Sequence, residues 1–370
     1  MKVLLLGGSG TLSSAILKKS LSCGYDVSIF NRGNNNTDIP SAVTTIRGDF
    51  YNKSSLQVFR EKKYDVVVDF LSRKPADIER VYSVFGNRCK QYVFISTACV
   101  YCRNKEDFPI VESSPKPNTK WAYNIEKYNC ELKLKELCKK NSYYTIVRPY
   151  ITYDDKRIPF GIAPEYKFHR TIIERIKAGK PMFIWNHGNT LTTSTYVSEF
   201  ADGVVGLFLN DKAVNEDFHI TSSNSYHSVE VLKLLYEKLG VNSNIIDVHV
   251  DELVKSLPQF KDMLIGDRAL DAIFDNTKII SAVPDFEANT SVSEGLDKVL
   301  RNYELLNTFD YDYRYDAMVD RLLSKKSANC HYVRYKNADR KTIIVYFIYR
   351  YLPYSLSIRL NRILSVFKLV

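Results

Sequence analysis

The sequence of 370 residues lacks any long apolar run, since none reaches the roughly 18 residues that a membrane-spanning helix requires. The opening residues 1–8 pass from a short apolar run directly into two glycines, without the cleavage region of a secretory signal peptide. The seven cysteines are scattered and odd in number, which is unlike a disulfide framework and favours a reducing compartment. These features predict a cytoplasmic protein.

The sequence also lacks the spacings that bind metal ions. Its six histidines form no HxH or HExxH pattern. Cys99 and Cys102 form a CxxC pair, but no second pair follows at zinc spacing, and both cysteines fall inside the polar stretch STACVYC. We therefore expect no metal site and no redox role for this pair.

Acidic residues are fewer than basic ones, 42 against 52, which gives a net charge of +10. This excess suits anionic partners such as nucleotides, sugar diphosphates, membrane phosphates or nucleic acid, without choosing among them. It is concentrated in residues 340–370, which contain six basic residues and no acidic residue. Because Arg350 and Arg359 interrupt the apolar character of this segment, two interpretations stay open. It is an amphipathic helix packed on its own domain or a partner subunit, or a helix lying on an anionic membrane.

Short apolar runs alternate with helical patterns over the first 150 residues. The patterns predict strands at 3–6, 26–32, 43–50, 64–71, 91–97 and 143–149, and helices at 12–22, 55–63 and about 120–140. This alternation predicts a parallel sheet with right-handed crossovers, which is a Rossmann-type, doubly wound α/β fold.

The rhythm changes after Pro149, where helical patterns cover 168–181, 194–210 and 227–240. We therefore expect three parts. They are an NAD(P)-binding Rossmann domain (1–150), a smaller substrate-binding lobe with additional sheet strands (151–308), and a basic, aromatic C-terminal extension (309–370). Within the extension, the segment DYDYRYD at 310–316 is expected at the surface.

The stretch GGSGTLS (7–13) lies between a predicted strand and a predicted helix, which is where a dinucleotide-binding loop stands. Unpaired N–H groups and the positive end of the helix dipole would meet a pyrophosphate there. The third glycine of the fingerprint is Ser13 in this chain, and a plain structural turn is the alternative interpretation.

Asn31 and Arg32 end the second predicted strand, where NAD-preferring folds carry an acidic residue for the ribose 2′-hydroxyl. A guanidinium at this place could hold a 2′-phosphate instead, which favours NADP over NAD. A solvated loop charge is the other interpretation of Arg32. Asp49, after the third strand, is placed to accept a hydrogen bond from the adenine or from backbone.

Tyr123 and Lys127 stand four residues apart on a predicted helix, so both side chains project from one face. A tyrosine acts as an acid or base near neutral pH only when its pKa falls well below about 10, and a nearby ammonium has that effect. With 26 tyrosines in the chain, such a pair also arises by chance on a solvated helix face. Its place after a strand that ends in the hydroxyls of Ser96 and Thr97 favours a catalytic role.

Five stretches in the same order resemble the motifs of the extended short-chain dehydrogenase/reductase family, which includes NAD-dependent epimerases and dehydratases. They are GGSGTLS (7–13), STACVYC (96–102), the pair Tyr123–Lys127 approached by VESSPKP (111–117), RPYITYD (148–154) and HGNTLTTSTYVSE (187–199). The likeness spans about residues 1–300. The chain departs from the family pattern at Ser13, Cys102 and Asp154, which replace glycines, and at Asn31–Arg32. These departures leave the cofactor type and the substrate open.

The resemblance implies a role for each matching residue. Thr97 would donate a hydrogen bond to the substrate oxygen, Tyr123 would transfer the proton, and Lys127 would lower the pKa of that phenol and bond the nicotinamide ribose. The cofactor-binding set is then Gly7, Gly8, Ser9, Gly10, Thr11, Leu12, Asn31, Arg32, Asp49, Phe50, Phe70, Leu71, Ser96, Tyr123, Lys127 and Pro149.

These roles predict an NAD(P)-dependent nucleotide-sugar epimerase, similar to UDP-glucose 4-epimerases, that works by transient hydride transfer. An NADPH-dependent 4-ketoreductase is the alternative enzyme. A dehydratase is disfavoured because Ala98 and Cys99 follow Thr97, where the family's dehydratases carry an Asp–Glu pair. A non-catalytic, nucleic-acid-binding member of the same fold is a third hypothesis, against which the set Thr97, Tyr123 and Lys127 argues.

The expected partners follow from the same resemblance. The substrate would be a nucleotide-diphosphate sugar, and the chain would form a homodimer through helices that include the one bearing Tyr123. A nucleic-acid partner is not expected. Residues 340–370 would give peripheral contact with the inner face of the membrane if the second interpretation of that segment holds, as in an assembly line for polysaccharides.

Overall fold

Buried Val, Ile and Leu residues form the central strands of the first unit's sheet. The structure is a computed structural model that describes residues 1–33, 39–138, 142–306, 310–326, 328–335 and 340–366. The strands are β1 (Lys2–Leu6), β2 (Asp26–Asn31), β3 (Thr44–Arg47), β4 (Tyr64–Asp69), β5 (Cys89–Ile95), β6 (Tyr143–Pro149), β7 (Thr152–Tyr153), β8 (Met182–Ile184), β9 (Leu191–Thr193), β10 (Thr195–Tyr196), β11 (Glu216–Ile220), β12 (Ser225–His227) and β13 (Ile245–Asp247).

Helices follow most of the strands. They are α1 (Thr11–Ser22), α2 (Lys53–Leu56), α3 (Pro75–Phe85), α4 (Ala122–Leu137), α5 (Arg170–Lys177), α6 (Val197–Gly206), α7 (Val229–Lys238), α8 (Val250–Ser256), α9 (Lys261–Met263), α10 (Thr277–Ala282), α11 (Val292–Leu305), α12 (Tyr313–Ser324), α13 (Arg340–Tyr351) and α14 (Tyr354–Val366).

The main sheet has the strand order β11–β6–β5–β4–β1–β2–β3, and every neighbouring pair is parallel. Val3 and Leu5 of β1 pack with α1 and α6 on one face, whereas Leu4 and Leu6 pack with α3 and α4 on the other. A parallel sheet covered on both faces needs strands that are apolar throughout, which is why the strands read as continuous apolar runs. The predicted Rossmann-type, doubly wound fold is confirmed.

Two compact units divide the chain. The first contains 1–154, 193–225 and 272–290, and it holds the main sheet. The second contains 155–192, 226–271 and 291–370, and its core is formed mainly by α5, α7, α12 and α13 together with the parallel pair β8–β13. The predicted boundaries at 150 and 308 stay a prediction about folding domains.

Two local predictions are wrong. The helix expected at 55–63 is only α2 followed by a 3₁₀ turn over Gln57–Phe59, because Phe59 turns inward against Phe30 and the chain must then enter β4. The segment 310–316 is not a surface segment, since Tyr315 and Asp316 are fully buried at the start of α12.

A cluster of buried charges explains the position of α12. Asp316 and Asp320 both pair with Arg175 of α5 and with Lys180, and all four side chains are excluded from solvent. Burial alone would lower the pKa of Arg175, but the two carboxylates outweigh it and raise that pKa above its usual range. Arg175 is therefore a structural residue of the second unit.

Helix α13 adds to the same core. The phenol of Tyr346 donates to Asp320 Oδ2 at 2.6 Å, and Ile348 and Tyr349 are almost completely buried. This contact agrees with the first interpretation of residues 340–370, an amphipathic helix packed on its own domain; residues 367–370 lie outside the described part. Among the described residues, no helix is both long and apolar enough to cross a membrane.

We expect Arg175→Met to lower the free energy of unfolding by about 3–5 kcal/mol, because the change leaves two buried carboxylates with only Lys180 as counter-charge. Urea unfolding followed by circular dichroism measures the loss. Arg301→Met, which removes an exposed arginine of the same unit, is the matched control and should change stability by less than about 0.5 kcal/mol. Equal losses in the two variants would contradict the structural role of the cluster.

Candidate functional site

The loop after β1 brings backbone close to the next strand. Gly7 and Gly8 have φ angles of 117° and 134°, which residues other than glycine rarely adopt. A Cβ atom at Gly8 would lie 3.0 Å from Cβ of Ile29 on β2. The two glycines therefore make the tight turn that the dinucleotide fingerprint requires at this place.

The N-terminus of α1 differs from the fingerprint in two ways. Ser13, in place of the third glycine, is buried, and its Oγ accepts from the Gly10 N–H at 3.0 Å and donates to the Gly10 carbonyl at 3.1 Å. The hydroxyl of Thr11 donates to Oδ2 of Asp154 at 3.2 Å. A carboxylate thus stands beside the first turn of α1, where it opposes the attraction of the helix dipole for an anion. Leu12 packs its side chain against the core.

A crevice of about 320 Å³ opens beside this loop in the first unit. Seven of the residues predicted to bind the cofactor line it, namely Gly7, Ser9, Asn31, Arg32, Asp49, Phe50 and Leu71. Five further residues complete the lining, namely Phe30, Gly33, Gly48, Tyr51 and Arg73. Its place at the ends of β1 and β2 is the one that the adenosine half of a dinucleotide takes in this type of fold.

The rim of the crevice is basic. Asn31 Oδ1 accepts from the Gly33 N–H at 2.9 Å, which fixes the turn that carries the exposed Arg32. Arg73, in the loop after β4, is a second exposed arginine of the lining. Two guanidinium groups on one rim suit a phosphate better than an uncharged hydroxyl.

Other residues that line the crevice are acidic or aromatic. Asp49 Oδ1 accepts from the Tyr51 N–H at 2.9 Å, so one carboxylate oxygen is used within the loop. Phe50 is buried, and the guanidinium of Arg80 lies 4.8 Å from the centre of its ring. Tyr51 is 57% exposed and presents a flat surface at the crevice.

The loop after β4 is held by a buried aspartate. Asp69 Oδ1 accepts from the N–H groups of Leu71 and Ser72, at 2.8 and 3.0 Å. Phe70 lies against the glycine turn, since a Cβ at Gly7 would be 3.4 Å from the Cβ of Phe70. Phe70 is not among the residues that line the crevice, so its predicted contact with the cofactor stays a prediction.

Lys127 lies at the carboxyl end of β5. Its Nζ donates to the carbonyl oxygens of Ile95 and Ser72, at 2.8 and 3.1 Å, and stands 4.3 Å from the ring centre of Phe94. Burial lowers the pKa of Lys127 to about 8, against the opposing effect of the Asp69 charge. The ammonium is therefore charged at neutral pH but close to its titration.

Thr97 and Tyr123 are the other two predicted catalytic residues, and both precede Lys127 in the chain. Thr97 follows β5 two residues after Ile95, is 7% exposed, and accepts a hydrogen bond from the Cys99 N–H at 3.2 Å. Tyr123 begins α4 one turn before Lys127, is 38% exposed, and has its ring 4.8 Å from that of Trp121. The structure thus brings Thr97 and Lys127 to one strand end, with the phenol one helical turn earlier.

Ser96 and Pro149 lie away from the crevice. The hydroxyl of Ser96 donates to Glu131 Oε1 at 2.5 Å, so its hydrogen is used inside the protein, and the predicted contact of Ser96 with the cofactor stays a prediction. Glu131 belongs to a buried ion pair that sequence reasoning missed, in which Arg148 donates to it at 3.0 and 2.7 Å. Pro149 ends β6 opposite Ile220 of β11, and its contact with a nicotinamide stays a prediction.

Several residues of the site were not predicted, but signals for some of them were present. Arg73 falls in DFLSRKP, the stretch after β4, and Tyr51 follows the predicted Phe50 directly. Glu131 lies one turn after Lys127 on the same helix, and Arg148 precedes the predicted Pro149. No group of three or more His, Cys, Asp or Glu side chains in the described ranges is placed to hold a metal ion.

Curated relatives of this chain cover only part of its length. The chloroplast stem-loop binding protein of 41 kDa b from Arabidopsis thaliana is 26% identical over 259 residues, which is 65% of this chain and 63% of that protein. UDP-glucose 4-epimerase from Drosophila melanogaster is 26% identical over 178 residues, which is 39% of this chain and 51% of that protein. This chain therefore spans less than two thirds of either relative.

Solved structures share the fold over most of the chain. Pal from Bacillus thuringiensis superposes with a TM-score of 0.67 at 18% identity, covering 82% of this chain and 99% of that one. UDP-glucuronic acid 4-epimerase from Bacillus cereus, solved with NAD, gives 0.63 at 17% identity, covering 82% and 100%. At these identities the likeness shows the fold alone.

The model of the NAD dependent epimerase/dehydratase family matches residues 3–221. This range contains the glycine loop, the strand-end hydroxyls and the Tyr123–Lys127 pair. The match confirms the predicted resemblance to NAD-dependent epimerases and dehydratases. Because the match covers more than half of the chain, this protein belongs to the NAD dependent epimerase/dehydratase family.

Proposed function

We propose that this protein is an NAD(P)-dependent epimerase of a nucleotide-diphosphate sugar. The observation that carries the proposal is the placement of Lys127 at the carboxyl end of β5, with Thr97 two residues beyond the carbonyl that Lys127 binds and Tyr123 one turn earlier on α4. The relatives support the substrate class, since several of them are UDP-sugar 4-epimerases.

The residues of the first unit fit the adenosine end of a dinucleotide, but one carboxylate repels the pyrophosphate. The glycine turn, the basic rim and the crevice of about 320 Å³ fit an adenosine with a phosphate on its ribose. The carboxylate of Asp154 beside Thr11 opposes the pyrophosphate. When bound, the nicotinamide would accept a hydride from the sugar carbon and return it.

The chain's own groups would handle the proton. Tyr123 removes the proton of the sugar hydroxyl as the hydride leaves, and it returns that proton when the hydride is delivered to the other face. The charged Lys127 favours the phenolate of Tyr123, and two of its three N–H groups are already used by the carbonyls of Ile95 and Ser72. The remaining N–H is available to a ribose hydroxyl. Thr97 donates to the sugar oxygen. The predicted homodimer stays a prediction.

The preference for NADP is the finer part of the proposal. Arg32 and Arg73 line the crevice, and the two described residues directly after β2, Arg32 and Gly33, carry no carboxylate that could bind a ribose 2′-hydroxyl. We expect Arg32→Ala to weaken NADPH binding by about tenfold or more, because a charge-assisted hydrogen bond is worth about 1.5–3 kcal/mol. NADH binding should change by less than about twofold. Fluorescence titration of both nucleotides measures the two constants.

Lys62→Ala, which removes an exposed lysine outside the crevice lining, is the control for this change. If Arg32→Ala weakened NADH and NADPH binding equally, Arg32 would not contact a 2′-phosphate, and the preference would be refuted.

We expect Tyr123→Phe to lower the rate of UDP-sugar interconversion by about 10²–10⁴-fold, since it removes the proposed acid and base. Nucleotide binding should be largely retained, because Tyr123 is not among the residues that line the crevice at the adenosine end. NMR analysis of the UDP-sugar products measures the rate, with purified protein and no added NAD(P). Tyr25→Phe, which removes the hydroxyl of a half-buried tyrosine just before β2 that does not line the crevice, should retain full activity.

Two outcomes would change the assignment. Full activity of Tyr123→Phe would refute the proposed acid and base. Net oxidation of NADPH by a keto-sugar nucleotide, with no interconversion of UDP-sugars, would assign the chain to the 4-ketoreductases instead.

A second candidate function rests on one comparison. The relative named for stem-loop binding matches 65% of this chain, against 39% for UDP-glucose 4-epimerase, and the chain has a net charge of +10. If the chain binds nucleic-acid hairpins, affinity should fall steeply with salt, by about 10³–10⁵-fold between roughly 50 and 200 mM for six to ten phosphate contacts. Tyr123→Phe should leave that affinity unchanged. Fluorescence anisotropy with RNA and DNA hairpins, alongside a single strand of the same composition, measures both effects.

A further inference from the structure

The C-terminal helices α13 and α14 are fixed to the second unit on their inner sides. Tyr346 of α13 donates to the buried Asp320, and Arg350 Nη2 donates to Ser324 Oγ at 2.5 Å. Ser357 of α14 is fully buried, and its hydroxyl donates to the Ile348 carbonyl at 3.2 Å. These contacts make the two helices a rigid part of the unit.

The outer sides of the same helices are apolar and exposed. Ile344, Phe347 and Tyr351 lie at positions i, i+3 and i+7 of α13, which is one face of a helix, and Tyr351 is 70% exposed. The rings of Phe347 and Tyr351 stack with centroids 6.1 Å apart. On α14, Leu356 and Ile363 are seven residues apart and about half exposed. We call Ile344, Phe347, Tyr351, Leu356, Arg359 and Ile363 the outer face.

Positive charge accompanies these apolar side chains. Lys341 is exposed one turn before Ile344, and Arg359 and Arg362 are exposed between Leu356 and Ile363. The sequence from 340 to 370 contains six basic residues and no acidic one. Apolar side chains interleaved with cations, without anions, complement a surface that is apolar below a layer of negative charge.

We propose that the outer face binds the surface of an anionic lipid bilayer. With 12 and 13 residues, the helices are about 18–20 Å long, which is less than the roughly 30 Å of the hydrocarbon core, so they lie on the bilayer and do not cross it. The stacked aromatic pair fits the headgroup level, where aromatic rings with a polar end accumulate.

Two other occupants fit the observations less well. A nucleic acid would use the cations and the aromatic rings but would leave Ile344, Leu356 and Ile363 without a role. A second copy of the chain, related by a two-fold axis through the outer face, would bring Arg359 near its own symmetry mate, and like charges that face each other across an interface repel.

Flotation of the full-length protein with vesicles tests the proposal. We expect partition into vesicles of phosphatidylcholine mixed with phosphatidylglycerol, and at least about tenfold weaker partition into phosphatidylcholine alone. Phe347→Asp should reduce partition into the anionic vesicles by about tenfold or more, since it replaces an inserted ring with a charge. Arg359→Glu should reduce partition into the anionic vesicles by about tenfold, and high salt should also reduce it.

Matched controls separate the outer face from charge and exposure in general. Ile280→Asp replaces an equally exposed apolar residue of α10, and Arg301→Glu reverses an exposed charge of α11. Both should leave partition within about twofold. Circular dichroism and urea midpoints equal to those of the unchanged protein show that each variant is folded.

The proposal is overturned by any of four results. The first is no partition into anionic vesicles. The second is equal losses in Phe347→Asp and Ile280→Asp. The third is dimerisation, seen by light scattering, that Phe347→Asp abolishes while the unchanged protein ignores lipid. Binding of hairpin RNA that Phe347→Asp weakens in the absence of lipid partition would overturn it in favour of nucleic acid.

Discussion

The buried ion pair between Arg148 and Glu131 is the interaction on which the geometry of the site depends. Both side chains are excluded from solvent, and the guanidinium donates two hydrogen bonds to the carboxylate. Arg148 also pairs with Asp217 of β11, but separating it from Glu131 would leave this buried carboxylate without its counter-charge, so one register of α4 against β5 and β6 is favoured. Lys127 lies one turn before Glu131, and this register places the Lys127 ammonium at the carbonyl of Ile95. Tyr123 lies one turn before Lys127 on the same helix.

Sequence reasoning predicted the features that local pattern decides. Continuous apolar strands separated by helical periods indicated a parallel sheet covered on both faces, and the sheet of the first unit has this form. The glycines at 7 and 8 indicated a tight turn because few other residues adopt their backbone angles. Seven of the residues predicted to bind the cofactor line one crevice, since they follow strands whose ends meet at one edge of the sheet.

What the sequence could not predict depends on partners distant along the chain. Asp316 is buried because Arg175 and Lys180 neutralise it across more than a hundred residues, and no local pattern distinguishes such an aspartate from a solvated one. The hydroxyl of Ser96 turns inward because Glu131, 35 residues away, accepts from it. Short-range periodicity indicates which face of an element is apolar, but it does not indicate which charge will meet which.

The two departures at α1 bear on which half of a dinucleotide contributes most to binding. Ser13 uses the Gly10 N–H, and Asp154 places a carboxylate beside Thr11, so the first turn of α1 offers a pyrophosphate less than a glycine-rich turn with no nearby anion would. Arg32 and Arg73 stand at the other end of the loop region, on the rim of the crevice. A phosphate on the adenosine ribose would meet these cations without approaching Asp154. If the proposed preference for NADP holds, this charge distribution places the electrostatic attraction for the dinucleotide at the adenosine end of the site.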